Sequence, residues 1–314
     1  MRVKLSDVTK YAKGTQINRD DLIENGQYIY LNGGINPSGR WNDANVKGNT
    51  VTISEGGNSS GYVNYMTEPF WCGAHCYYLF DGPKNTRYLY YALKSQQERL
   101  FSIRSGACMP NIKKTDLGKF EFEFDTDERK QNKIVSVLSK IDAVIGERKR
   151  ELELLDELVK SRFVEMFGDP VNNDKNWPTE KLDSVCSAIV DCPHSTPSYT
   201  AENTGYMCIR TSIVKKNHIL WDEIEYIPEH EYYQRILRKK PEKGDIIYTR
   251  EGAILGIAAM IDRDCNVALG QRSMLLSPNN SKCLPQFLSV AMNFDSFLRK
   301  ALGGISGSAS PHIN

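Results

Sequence analysis

The chain has 314 residues, 40% of them hydrophobic and 25% charged, and its 40 Lys and Arg nearly balance 39 Asp and Glu for a formal net charge of +1. That composition excludes a disordered chain and a strongly basic nucleic-acid binder, while the length allows two domains and a connecting element. No apolar run approaches the roughly 20 residues of a bilayer span, and residues 1 to 10 lack the apolar core of a signal peptide. A cytoplasmic protein with its eight cysteines as free thiols is therefore expected.

Residues 1–125 hold short alternating or β-branched runs, Gln27 to Leu31, Asn49 to Ser54, Cys76 to Phe80 and Lys119 to Phe124, separated by turns such as Asn32-Gly33-Gly34 and Glu55-Gly56-Gly57. One helical pattern, Thr86 to Ile103, interrupts them. These features predict an α+β domain with a mainly antiparallel or mixed sheet.

From Asp125 to Gly168 the pattern changes. Leu138, Ile141, Ile145, Arg148, Leu152, Leu155, Val159, Arg162 and Met166 advance by threes and fours, the seam of a coiled coil. Asp125 with Glu128 forms a carboxylate capping box at the start, and Gly168 followed by Pro170 stops the helix. A helix over 126–167 would run on the order of 60 Å, a spacer rather than a core helix, with charges such as Glu147, Lys149, Arg150 and Glu153 on its other faces. Its seam, Leu138, Ile141, Ile145, Leu152, Leu155, Val159 and Met166, calls for a partner helix, either in a homodimer through residues 126–167 or in another subunit.

After the spacer the same features come round again. Leu5-Ser6-Asp7-Val8 echoes Leu182-Asp183-Ser184-Val185, and Gly48 to Gly56 echoes Gly244 to Gly252. Arg87-Tyr88-Leu89 echoes Gln286-Phe287-Leu288, and Gly106 to Ile112 echoes Gly307 to Ile313. The last three echoes stand 196 to 201 residues apart and the first 177, which reads as one duplicated domain. The organisation expected is residues 1–125, a helix over 126–168 and a second domain over 169–314, the second copy stopping at Asn314 without a spacer helix of its own.

Two diverged domains, each with a Gly-Asp-Ile-Ile-type strand (Gly244 to Ile247) and a Met109-Pro110-Asn111-Ile112 or Ser310-Pro311-His312-Ile313 element, are joined here by a helix ending Phe163 to Pro170. That arrangement resembles the specificity subunit of type I restriction-modification systems. The resemblance implies two target recognition domains, each reading half of a split double-stranded DNA site. It implies a non-catalytic chain without a cofactor, whose partners are methyltransferase subunits and, through them, a restriction subunit. In that family a second helix pairs antiparallel with the first, so its absence here is a departure.

Base readout needs paired donors or acceptors, with Lys, Ser, Thr and amides holding phosphates. The loops of the first copy offer Arg40, Lys47, Asn58 and Ser59; those of the second offer Arg210, Thr211, Ser212, Lys215, Lys216, Thr249, Arg250, Gln271 and Arg272. Arg40, Arg210, Arg250 and Arg272 lead. Against them stand ordinary loop arginines in surface ion pairs.

Other signals carry less. Cys72, His75 and Cys76 fall short of a four-ligand zinc set, with Cys186, Cys192 and His194 in the other copy. Glu55 to Gly61 is glycine-rich after a strand but lacks the Gly-Lys-Ser/Thr ending of a phosphate loop. The competing reading is a coiled-coil scaffold whose end domains bind proteins; the counts of basic and acidic residues, 15 and 13 before position 126, 9 and 9 over 126–168, 16 and 17 beyond, leave DNA binding to local patches.

Overall fold

The structure, a computed structural model, describes residues 1–106, 109–252, 254–303, 305–306 and 312–313. Of the Gly106 to Ile112 and Gly307 to Ile313 echo, Ala107, Cys108 and residues 307–311 lie outside the described residues. The chain divides into two compact units, Met1–Glu151 and Leu152–Asn314.

In the first unit the order is β1 (Arg2–Lys4), α1 (Leu5–Val8), β2 (Lys10–Lys13), β3 (Tyr28–Leu31), β4 (Gly39–Trp41), β5 (Thr50–Ser54), β6 (Val63–Met66), β7 (Phe70–Cys72), β8 (Cys76–Phe80), α2 (Thr86–Lys94), α3 (Gln97–Ser102), α4 (Lys114–Gly118) and β9 (Glu121–Glu123). The strands form a four-stranded sheet β2-β8-β5-β6, a three-stranded sheet β4-β3-β7 and the pair β1-β9. Only β3 and β7 run parallel. β5 is buried on both faces and β8 on the face of Tyr77 and Leu79, and these two strands form the floor of a core of Leu5, Val51, Ile53, Tyr77, Leu89, Leu93, Leu117 and Phe122. The helical pattern over 86–103 breaks at Ser95 and Gln96. The break lets the Gln97 side chain accept from Val63 N–H (3.0 Å) and donate to Gly61 O (2.7 Å), satisfying main-chain groups at the start of β6.

The long helix α5 runs Glu128–Phe167. Its cap is Asp127 and not Asp125: Asp127 Oδ1 accepts the Arg129 N–H at 2.9 Å, whereas Asp125 Oδ1 accepts only the N–H of Asp127. The two-residue shift follows from Gln131, whose amide donates to Asp125 O (2.6 Å) and draws that residue out of the helix. Asp127→Ala therefore costs about 1 kcal/mol of helix stability in chemical denaturation, and a loss of only a few tenths would show that the cap lies elsewhere. At the far end Gly168 takes φ +80°, the left-handed cap conformation, with its N–H on Val164 O (2.8 Å). The seam arginines find carboxylates one turn on, Arg148 with Glu151 and Arg162 with Glu165. Ile141, Ile145, Leu152, Leu155, Val159 and Met166 stand about half exposed, with Val137, Val144 and Leu158 widening the stripe; Leu138 is partly buried.

The first half of α5 belongs to the first unit. There Asp142 accepts the Tyr91 hydroxyl (2.6 Å) from α2. The second half belongs to the second unit, where Phe163 is buried among Phe167, Phe287 and Phe294.

That second unit comprises α6 (Leu182–Val185), β10 (Cys186–Asp191), β11 (Met207–Ile209), β12 (Val214–Lys215), β13 (His218–Ile219), β14 (Glu225–Tyr226), α7 (Glu229–Arg235), β15 (Ile246–Thr249), β16 (Ala258–Met260), β17 (Val267–Leu269), β18 (Ser273–Pro278), α8 (Pro285–Met292) and α9 (Asp295–Leu302). Its sheets are β10-β18-β15-β16 and β14-β11-β17, the strand orders of the first unit over again. Again the one parallel pair among the described sheets is the corresponding one, β11 with β17. The duplication read from the echoes is thus a duplication of fold. The change of spacing from 177 to 196 has a cause: the second unit inserts the β12-β13 hairpin before β14 and α7 after it. One difference remains near the start. Leu5 is fully buried beneath the β1-β9 pair, while its counterpart Leu182 is 36% exposed, and no strand pairs with residues 179–181 among the described residues.

Candidate nucleic-acid interface

In the second unit five strands finish or begin at one end. Ile209 closes β11 beside Leu269 of β17, and the Gly270 N–H donates to Ile209 O (2.8 Å). Thr249 closes β15 opposite Ser273, and Asp191 closes β10 opposite Met274. The residues that follow these ends are brought together: Arg210, Arg250, Gln271 and Arg272, with His194 beyond Asp191. Arg250 Nη1 lies 2.8 Å from Asp191 Oδ2, and His194 Nε2 lies 3.2 Å from the same oxygen. The Arg250 N–H donates to Arg272 O (3.0 Å), and the Gln271 amide donates to His194 O (2.7 Å). Arg210 pairs with Glu225 (2.9 Å) and its guanidinium stands 5.4 Å from the Tyr199 ring. Arg210, Arg250 and Arg272 stand here with three carboxylates, Asp191, Glu225 and Glu251, so this end is rich in both donors and acceptors.

The support beneath is Arg235 of α7, which is buried. Its Nε meets Glu231 at 3.0 Å, and its Nη atoms donate to Leu269 O (3.3 Å) and Ser195 O (2.9 Å), tying α7 to β17 and to the segment after β10. Burial alone would raise the Glu231 carboxyl. The Ser198 N–H and Arg235 outweigh it and hold that carboxyl below its ordinary range.

Other sequence candidates fall elsewhere. Thr249 cannot meet DNA: it is fully buried, its hydroxyl accepting the Ile257 N–H (2.9 Å), because it is the last residue of a strand buried on both faces. Thr211 and Ser212 lie in a short 3-10 turn; Lys215 Nζ donates to Ser212 O (2.8 Å), and Lys216 pairs with Asp295 of α9 (3.5 Å). In the first unit Arg40 is spent on main chain, Nε to Gly26 O (2.6 Å) and Nη2 to Gln27 O (3.1 Å), which pins the approach to β3. Lys47 is exposed in the turn before β5, at the end of that strand away from Ser54. Asn58 is exposed in the loop after β5, and the Ser59 hydroxyl in the same loop donates to Gly33 O (2.7 Å).

Three residues at the first unit's strand ends, Lys13, Glu55 and His75, were not among the DNA-contact candidates of the sequence. Lys13 closes β2 and pairs with Glu55, which follows β5, and His75 Nδ1 lies 3.3 Å from Glu55 Oε2. Asn32 Oδ1 accepts the His75 N–H (3.2 Å). The Cys72 and Cys76 thiols face the core beneath, away from this surface.

Residues 1–155 match the family described as the type I restriction modification DNA specificity domain. Over those residues the chain belongs to the type I restriction-modification specificity family. Over 180 residues it is 35% identical to a Mycoplasma genitalium protein named as a type I specificity subunit, which covers 56% of this chain and 47% of that one. Over 245 residues it is 25% identical to the MjaVIII type I restriction enzyme specificity subunit of Methanocaldococcus jannaschii, covering 72% and 56%. The chain thus spans about half the length of the curated relatives it matches. The crystal structure of a type I restriction-modification S subunit from M. genitalium has the same fold, with a TM-score of 0.55 at 22% identity over 96% of this chain and 77% of that one. No helix among the described residues is long and apolar enough to cross a membrane.

Proposed function

We propose that the chain is the sequence-reading, non-catalytic subunit of a type I restriction-modification assembly, each unit taking one half of a split double-stranded DNA site. The observation that carries this reading is the repeated fold with different side chains at equivalent strand ends. Two modules of one architecture, differing where they are open to solvent, suit two half-sites of different sequence, and joining them makes the second binding event intramolecular. The strand ends of the second unit bring Arg210, Arg250 and Arg272 together, donors of the kind that read guanine and hold phosphates.

The same reading gives the α5 stripe a role. Each of its half-exposed apolar side chains forgoes roughly half of the about 1.5 to 3 kcal/mol that full burial gives, so the helix docks a partner: a methyltransferase subunit, which in turn recruits the restriction subunit, or residues 126–167 of a second copy. A strict monomer in sedimentation at micromolar concentration excludes the second copy. The exposed stripe also favours the competing reading, a protein scaffold without DNA readout.

Selection of the purified chain, with and without methyltransferase partners, on randomised duplexes at two salt concentrations separates the two. Recovery of a split motif with a fixed gap and a steep loss of affinity with salt is the expected result. No enrichment under either condition, with little salt dependence, leaves the scaffold. Within a recovered motif, Arg250→Ala weakens binding by about 1 to 3 kcal/mol, and unchanged affinity at controlled salt removes Arg250 from the interface.

A further inference from the structure

Pairing register, rather than letter identity, sets the correspondence between the two units. Leu31 faces Cys72 as Ile209 faces Leu269, Ser54 faces Cys76 as Thr249 faces Ser273, and Lys13 faces Tyr77 as Asp191 faces Met274. The hydrogen bonds just beyond the strands continue it: Glu55 N–H donates to His75 O as Arg250 N–H donates to Arg272 O at 3.0 Å, an oxygen the Glu251 N–H shares at 3.3 Å, and Ser54 exchanges bonds with Tyr62 and Gly61 as Thr249 does with Ile257 and Gly256. Lys13 therefore stands where Asp191 stands, Glu55 where Arg250 stands, and His75 where Arg272 stands.

Both units place an ion pair across these positions, and its polarity is reversed. The cation is on the β2 side in the first unit and after β15 in the second. These pairs are only half-buried, and such pairs contribute little to stability, so the fold has small use for either orientation. At a base edge orientation is decisive, because a guanidinium or ammonium donates to O6 and N7 of guanine while a carboxylate accepts from an exocyclic amine and repels those same acceptors. Arg272 adds an independent sign: it holds φ +67°, the left-handed region that arginine rarely adopts, and such strain persists where the surroundings over-determine it, as at binding sites.

We propose that these equivalent pairs, Lys13 with Glu55 and Asp191 with Arg250, set the base preference of each half-site, with Arg250 and Arg272 of the second unit donating to guanine. The proposal rests on the DNA-reading function above and names where in each unit the reading is done.

Two full-length variants test it. Asp191→Lys with Arg250→Glu transplants the first unit's orientation while keeping an ion pair, and Arg272→Gly relaxes the left-handed residue. Thermal melts establish that each is folded, and selection on randomised duplexes reads out preference beside the wild type. Expected is a motif in which one half loses its guanine preference by about tenfold or more while the other half is unchanged, in both variants, with the melting temperature of Arg272→Gly equal to or above that of the wild type. A folded variant that recovers the wild-type motif in both halves overturns the proposal and leaves the DNA-reading function standing. Should the double variant fail to fold, Arg272→Gly decides alone. A wild-type chain that recovers no motif with its partners present overturns the function and this proposal together.

Discussion

Arg235→Ala lowers the stability of the second unit by about 3 to 5 kcal/mol, because it removes one member of a buried pair and leaves the other charged. Glu231 would keep its carboxylate among buried groups with only the Ser198 N–H opposite it, and two main-chain carbonyls, Leu269 and Ser195, would lose their donors. The pH dependence gives a second readout. In the native chain the Glu231 carboxyl is held below its unfolded value, so its contribution is present above that value and is lost as pH falls through the folded one. Without Arg235, burial weighs more heavily on the carboxyl and raises it, and acid unfolding of the second unit begins at higher pH. Hydrogen exchange of peptides spanning 195–235, with chemical denaturation at several pH values, measures both effects. A loss below about 1 kcal/mol with an unmoved acid limb would mean that water takes over the role of the guanidinium.

Phe163→Ala is the second large effect, about 3 to 5 kcal/mol, the usual cost of emptying a buried phenylalanine site. The ring lies 4.8 Å from that of Phe294 and 5.3 Å from that of Phe287, so its removal opens a cavity between α5 and α8 that none of these rigid aromatics can close. The expected result is loss of exchange protection over the last turns of α5 and over α8 and α9, while residues 1–125 keep theirs. Equal protection in all of these segments would show that α5 is held to the second unit by its polar contacts, such as Lys160 with Asp295 at 2.5 Å, and not by Phe163. A single two-state fit suits neither variant, because a chain of two units and a long helix need not unfold as one.

Much of the architecture was legible in the letters, for reasons that can be named. The threes and fours from Leu138 to Met166 read as a helix, and β5 and β8 were legible because Thr50 to Ile53 is a run of β-branched residues and Cys76 to Phe80 an apolar, aromatic one. The echoes between copies survived where both folds need the same small or apolar residue. The site was harder to see. Three of the four leading arginines, Arg210, Arg250 and Arg272, do meet at one end, because each follows the close of a strand or lies in a turn between two of them. Arg40 stands in the first unit, exposed but with Nε and Nη2 hydrogen-bonded to carbonyls of the segment before β3, which no periodicity reports. Thr249 failed because a polar letter after Ile246-Ile247-Tyr248 reads as the start of a loop although the strand continues through it. Lys13, His75 and Asp191 were missed since the search for echoes looked for like letters, and at these positions the two copies carry unlike ones; Glu55 fell inside the Gly48 to Gly56 echo opposite Glu251, one residue off the pairing register, which sets it against Arg250. A correspondence by hydrogen-bond register, with the spacing allowed to jump at the β12-β13 hairpin and α7, would have placed Lys13 opposite Asp191 from the outset.

The reversed ion pair also bears on how such a protein can change over time. From Lys13 with Glu55, either single charge reversal sets two like charges side by side, and the same holds for Asp191 with Arg250. One orientation is therefore reached from the other only through a disfavoured intermediate or by exchange of the whole unit, since both members lie within one unit and travel together. Small steps in the surrounding loops remain open to each half, but at these positions the path between the two copies is a jump, and shuffling intact units crosses it without passing through the clash.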